Sequence, residues 1–267
     1  MLAVHPGPGV KELWGPIALE GYSFAHRRVA EGRAVFAIDL PGYNESEGPM
    51  LTIEQYAIVV HQVATAIRLG GYSVEGNEAQ PFPHVVGAGL SMGGAIVELA
   101  QSTFGSFDAL VSAGWSQVGL SEEARVCFCD FDCPDLGVSM FHTANADPEA
   151  IAAVKALPFQ DPGLQTGISS AFWSSETCDT ESANRFSDDE LRPDRVNATI
   201  TVPVLRILGD RDFWFRRDRL GNEAEDFPSS PDARLLLLAD TGHFVFHHLD
   251  RDLVHATIDG FLDDQGL

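Results

Sequence analysis

The chain has 267 residues, 45% of them hydrophobic and 21% charged, enough for one large α/β domain with an insertion. Seventeen Lys and Arg stand against 39 Asp and Glu, a formal net charge of −22. Such a surface repels nucleic acid and anionic lipid and argues against both as partners. The longest apolar runs, such as ARLLLLA at 233–239, are too short to cross a bilayer, and no basic-then-apolar leader opens the chain.

Short apolar runs alternate with helix-like periodic segments, the pattern of a mostly parallel sheet with helices on both faces. LAV (2–4) reads as the end of a strand and AVFAID (34–39) as a second strand. A helix is predicted over 52–71, with Thr52 as N-cap, Gln55 at the capping-box position and Gly70-Gly71 as its stop. HVVGAGL (84–90) is a strand, GAIVELAQSTF (94–104) a helix, and DALVSAGW (108–115) another strand. VPVLRILGD (202–210) and ARLLLLAD (233–240) are two more strands, and 250–264 is a closing helix.

Residues 116–200 break this rhythm. They are rich in Ser, Asp, Pro and Cys, with scattered aromatics and a helix-like DPEAIAAVKAL. This block reads as a lid inserted between a first core part (1–115) and a second (201–267). It holds all four cysteines, Cys127, Cys129, Cys133 and Cys178, whose spacing fits no standard zinc motif. Two disulfides, free thiols and a metal site all stay open. Two N-x-S/T sequons occur, at Asn44 and Asn197.

The chemistry centres on GLSMG at 89–93. A serine between two such glycines, entered from a strand and left by a helix, fits a sharp turn that pushes its hydroxyl outward. A serine hydroxyl needs a base, and the base needs a carboxylate to hold its tautomer. In this setting the order is Ser, then acid, then His. The strand at 202–210 runs into GDRD and the strand at 233–240 into TGH, which gives Ser91, Asp212 and His243. Asp210 competes with Asp212, and Asp212 lies further into the loop. His243, His247 and His248 also suggest a metal cluster, but no acidic signature accompanies them, so no metal is expected.

The oxyanion donors expected are the backbone N–H groups of Met92 and Gly7, the latter in HPGPG (5–9), where the prolines have no N–H to give. Trp14, Trp115, Trp173 and Trp214 fall in loops or the lid near this site. They suggest a hydrophobic acyl or alcohol group in the substrate; packing of the lid is the alternative reading.

Taken together, HPGPG, AIDLPGYNESEG, GLSMGG, GDRD and TGH resemble the α/β-hydrolase superfamily over essentially the whole chain, and in particular lidded esterase- or lipase-like serine hydrolases of actinobacteria and fungi. The resemblance implies an α/β-hydrolase fold, no cofactor and a small-molecule substrate, with a carboxylic ester or lactone foremost. Peptidase, thioesterase and C–C hydrolase activities are alternatives, as is a receptor that binds a ligand without turnover. HPGPG is also one residue from the HGGPG loop of proline iminopeptidases, which use lid carboxylates; Glu122, Glu176 or Glu181 would serve here. The chain departs from the family pattern at Pro6 and Asn44. It also offers four residues where the family has a β-hairpin. That allows either a sheet without its first strands or a shortened form of an exported protein. Oligomeric state has no signature in the sequence.

Overall fold

The computed structural model describes residues 1–7, 9–15, 21–76, 78–119, 121–124, 145–157 and 196–267. Six strands form one sheet: β1 (Leu2–Val4), β2 (Phe36–Ile38), β3 (Val86–Leu90), β4 (Ala109–Ala113), β5 (Val204–Gly209) and β6 (Ala233–Leu238). Their order is β2-β1-β3-β4-β5-β6, and every pairing is parallel. Parallel strands need crossover connections, and covering both faces with helices buries the strands on both sides. Burial follows position in the sheet: β1, β3, β4 and β5 are buried throughout, while the edge strands β2 and β6 are largely half-buried.

Five α-helices lie wholly within the described residues, besides short 3-10 turns: α1 (Phe24–Ala30), α2 (Ile53–Leu69), α3 (Met92–Phe104), α4 (Pro148–Lys155) and α5 (Arg251–Asp264). The capping box of α2 forms as its sequence dictates. The Thr52 hydroxyl accepts from Gln55 N–H, the Gln55 side chain accepts from Thr52 N–H, and Gly70 closes the helix at φ 71°. Helix α1 has no counterpart in the sequence reading, although its signal is there: Ser23 is a side-chain N-cap that accepts from His26 N–H. Its buried Arg28 sits 2.8 Å from Asp259 of α5, tying the first and last helices together.

Strand register decides where the site can be. Val4 pairs with Gly89, Leu90 with Ala113, Ala113 with Ile207, and Gly209 with Leu238. The carboxyl ends of five strands therefore lie along one edge of the sheet. The chain runs from β1 outward to β2, then crosses back to β3, so the loops after β1 and β3 diverge at a switch point where parallel sheets place their ligands.

The chain between β4 and β5 joins neighbouring strands and contains α4, capped by Asp147. Cys127, Cys129, Cys133, Cys178, Trp173, Glu176 and Glu181 lie outside the described residues. Asn197 does not behave as an open sequon: its side chain is fully buried and its Oδ1 accepts from Gln117 Nε2 at 2.7 Å.

Candidate active site

Ser91 sits between β3 and α3 with φ 55° and ψ −122°. A side chain in that region is strained, and here the packing around it imposes the strain. A Cβ at Gly89 would lie 2.2 Å from the Gly93 carbonyl oxygen, and one at Gly93 would lie 2.1 Å from that of Val4. Both contacts are with backbone, so only glycine lets the turn close this tightly against β1. Ser91 N–H donates to the Ala113 carbonyl at 2.8 Å, pinning the turn to the end of β4. The Ser91 hydroxyl makes no hydrogen bond among the described residues.

Met92 is the first residue of α3, where an N–H has no carbonyl within the helix to bond. The loop after β1 folds over it: a Cβ at Gly7 would lie 3.9 Å from Met92 Sδ. The turn closes with Gly9 N–H donating to the Pro6 carbonyl at 2.9 Å. Fully buried His5 holds this loop in place. Its Nε2 accepts from Leu40 N–H at 3.1 Å, so Nδ1 carries the proton and donates to the Pro6 carbonyl at 2.7 Å. Burial drives the His5 pKa down to about 4, against the opposing pull of the Pro6 carbonyl and Asp39, so the ring stays neutral. Tyr43 covers the same corner, its ring 4.6 Å from that of His5 and its hydroxyl 3.9 Å from Met92 Sδ.

Between the two candidate acids the structure separates clearly. Asp212 is fully buried, its Oδ2 lying 2.8 Å from His243 Nδ1 and its Oδ1 accepting from Trp214 N–H at 2.9 Å. Asp210 instead lies 3.7 Å from Arg211. A carboxylate at this distance accepts from Nδ1–H, the tautomer whose Nε2 is free to act as a general base. The two loops are stitched together by Arg211 N–H to the Thr241 carbonyl at 2.9 Å. Gly209 permits that approach, since a Cβ there would lie 2.1 Å from the Thr241 oxygen. Gly114, at φ 53°, lets the His243 backbone approach closely: a Cβ on it would lie 2.9 Å from the His243 carbonyl oxygen. Gly114 directly follows the Ala113 that anchors Ser91, so the serine turn and the His243 loop both lie at the carboxyl end of β4.

Aromatic rings line the base. Trp214, Phe215 and Phe244 have centroids 6.0, 6.2 and 5.8 Å from that of His243, and Trp115 meets Phe215 edge-on at 5.7 Å. Trp14 goes elsewhere: it packs against Phe24 and Phe246 in the core, at 4.9 and 5.4 Å. This is the packing alternative for Trp14. His247 is fully buried against Phe244, and no group of metal-ligating atoms that includes His243, His247 or His248 converges among the described residues. Glu12, Asp39 and Glu45 do converge, and the Lys11 ammonium ion-pairs with all three.

Sequence reasoning missed Phe215 and Phe244 beside the base. It also missed a buried polar cluster beneath the acid loop, where Arg206 of β5 meets Glu98 of α3 and Glu223. A charged residue inside the apolar run VLRILG was the available signal.

Solved structures share this arrangement of elements. A thermophilic esterase from Thermogutta terrifontis is 17% identical, with a TM-score of 0.64, over 99% of this chain and 89% of that one. Est816, described as an N-acyl homoserine lactone degrading enzyme, is 19% identical with a TM-score of 0.65 over 97% and 92%. A monoacylglycerol lipase from Paleococcus ferrophilus is 15% identical with a TM-score of 0.64 over 99% and 93%. No functionally curated protein matches the chain in sequence. The family model for alpha/beta hydrolases matches residues 1–257, and with the all-parallel sheet and its serine turn on the page, the chain belongs to the alpha/beta hydrolase family.

Proposed function

We propose that this protein is a serine hydrolase that cleaves a carboxylic ester or lactone of a small hydrophobic substrate. The observation that carries the reading is the strained Ser91 turn beside the buried Asp212–His243 pair. Ser91 Oγ attacks the acyl carbonyl as its proton passes to His243 Nε2. Asp212 holds the imidazole and stabilises its cationic form. The N–H groups of Met92 and Gly7 receive the oxyanion. Collapse breaks the bond to the alkoxide, which takes the proton from His243. Water, deprotonated by His243, then attacks the acyl-Ser91 ester, and Ser91 leaves with its proton restored. In this reading the Ser91–His243 hydrogen bond forms with substrate in place, since catalytic hydrogen bonds are often absent or long without it.

The ester or lactone is favoured by the apolar wall of Trp115, Trp214, Phe215 and Phe244 beside the base. The esterase, lactone-degrading and lipase descriptions of the structural neighbours agree with it. An aminopeptidase would need carboxylates facing the site; Glu122 is exposed. Residues 116–200 form the lid in this reading, with Trp173 within it.

Labelling with a fluorophosphonate probe tests the proposal. The wild-type chain is expected to label and Ser91→Ala is expected not to. A folded wild-type chain that stays unlabelled would overturn the reading and favour a ligand-binding role.

A further inference from the structure

The Glu98–Arg206–Glu223 cluster takes no part in the proposed chemistry, yet all three side chains are fully buried. One guanidinium stands between two carboxyls, so with both ionised a negative charge is left uncompensated in the interior. That is costly unless a proton removes it. The two carboxyls are unequally served. Glu98 Oε1 lies 3.0 Å from the Arg206 guanidinium and accepts from Ser112 Oγ at 2.5 Å, and its Oε2 accepts from Gln117 Nε2 at 3.3 Å. Glu223 Oε1 bonds the Ser116 hydroxyl, while its Oε2 is 3.6 Å from Arg206 Nε and makes no hydrogen bond.

The cluster is wired to the site. Arg206 donates to the carbonyl of Trp115, whose ring supports Phe215 beside His243. Glu223 lies just beyond the loop that carries Asp212, Trp214 and Phe215. The chain after Trp115 is sewn to that same loop: Ser121 N–H donates to the Trp214 carbonyl at 2.9 Å, Ser121 Oγ to the Phe213 carbonyl at 2.5 Å, and Arg216 N–H to the Gly119 carbonyl at 3.1 Å.

We propose that Glu98 and Glu223 are positioning residues that share one proton across Arg206, and that in this singly protonated state they hold Trp115 and the Asp212 loop against His243. The inference rests on the serine hydrolase reading for its consequence in catalysis. Burial pushes both carboxyls up against the pull of Arg206, Glu223 to about 7. Among the described residues, the charged groups facing the pair are Arg206 from β5 and the half-buried Asp226, itself raised by burial. The other partners, Ser112, Ser116 and Gln117 from the end of β4 and Asn197 beyond them, are neutral. Loss of the shared proton sets two carboxylates and Asp226 around one guanidinium. Glu223, the less well-bonded member, then pulls away and loosens the loop that orients His243.

The sign follows from linkage. A free glutamate has lost its proton above pH 4.5, while the folded pair keeps one, so this cluster's contribution to stability falls as pH rises from 4.5 towards the folded value. A neutral isostere at either position removes that dependence.

The test compares wild type with Glu223→Gln and Glu98→Gln for kcat/KM on p-nitrophenyl butyrate and for melting temperature from pH 5 to 9. Wild-type kcat/KM is expected to fall on the alkaline side, approaching tenfold per pH unit. That limb is expected to vanish in both variants. The variants are expected to melt with wild type at pH 5 and above it at pH 8. An alkaline limb unmoved in both variants, or a melting difference that does not change with pH, would overturn the proposal. Ser116→Ala covers failure of a variant to fold: removing that donor is expected to move the limb to higher pH, and an unmoved limb would overturn the proposal. Melting needs no substrate. A chain that hydrolyses no ester but shows the pH-dependent gap would sink the hydrolase reading and leave the shared proton standing.

Discussion

Asp212 and Asp210 are two residues apart in sequence and take different roles in space, because only Asp212 is turned inward onto the imidazole. Asp212→Asn is therefore expected to lower kcat on p-nitrophenyl butyrate about 10⁴-fold with the fold intact, since an amide can hold the wrong tautomer of His243. Asp210→Asn is expected to leave kcat within about threefold, since the half-buried Asp210 faces Arg211 and not the imidazole; equal losses in the two variants would reject the assignment of the acid. At the serine turn, Gly93→Ala brings a methyl group to 2.1 Å from the Val4 oxygen. Backbone on both sides leaves it nowhere to relax, and a large fall in melting temperature is expected. A variant that melts with wild type would show the turn to be looser than described. Motif spacing led to Ser91, Asp212 and His243. The neighbours Phe215 and Phe244 carry no comparable signal, because an aromatic in a loop looks the same whether it faces a base or the core.

Among the secondary-structure elements, those with strong local signals were the most legible. The capping box of Thr52 and Gln55 and the αL glycine at 70 are statements about a few consecutive residues, and α2 starts and stops where they say. Thr52→Ala is expected to cost about 1 kcal/mol in denaturant unfolding and to leave activity unchanged. A cost near zero would mean that packing alone holds the helix start. Helix α1 escaped notice because it is only seven residues long and includes a buried arginine. Short helices lack the repeats that make a periodic pattern visible, and Arg28 earns its burial from Asp259 at the far end of the chain. The strand β5 was legible as a strand in spite of Arg206, yet its charged residue had no explanation until Glu98 and Glu223 were seen on either side of it.

The protein as a whole carries two electrostatic consequences. Three buried histidines, His5, His247 and His255, have pKa values driven down by burial to about 4, 3 and 4. Above the unfolded value of 6.5 both states leave them neutral. Below it the unfolded chain takes up protons that the folded chain refuses, so stability falls as pH drops from 6.5 towards 4. Melting scans are expected to show this as a steep acid limb worth roughly several kcal/mol, and a flat profile between pH 6.5 and 4.5 would contradict it. The net charge of −22 adds self-repulsion over the surface. Raising salt from about 20 to 500 mM screens it and is expected to raise the melting temperature by a few degrees.

The order of motifs along the chain determined the fold class and the candidate serine, acid and base, because glycine geometry, capping and strand-end loops are local properties written in adjacent residues. Tertiary structure alone decided the rest: the packing of Trp14 in the core, the rings of Phe215 and Phe244 beside His243, and the buried cluster that joins residues 98, 112, 116, 206 and 223. These depend on strand order and register, which bring distant residues to one edge of the sheet. Contacts between residues a hundred positions apart leave no periodicity for a single sequence to display.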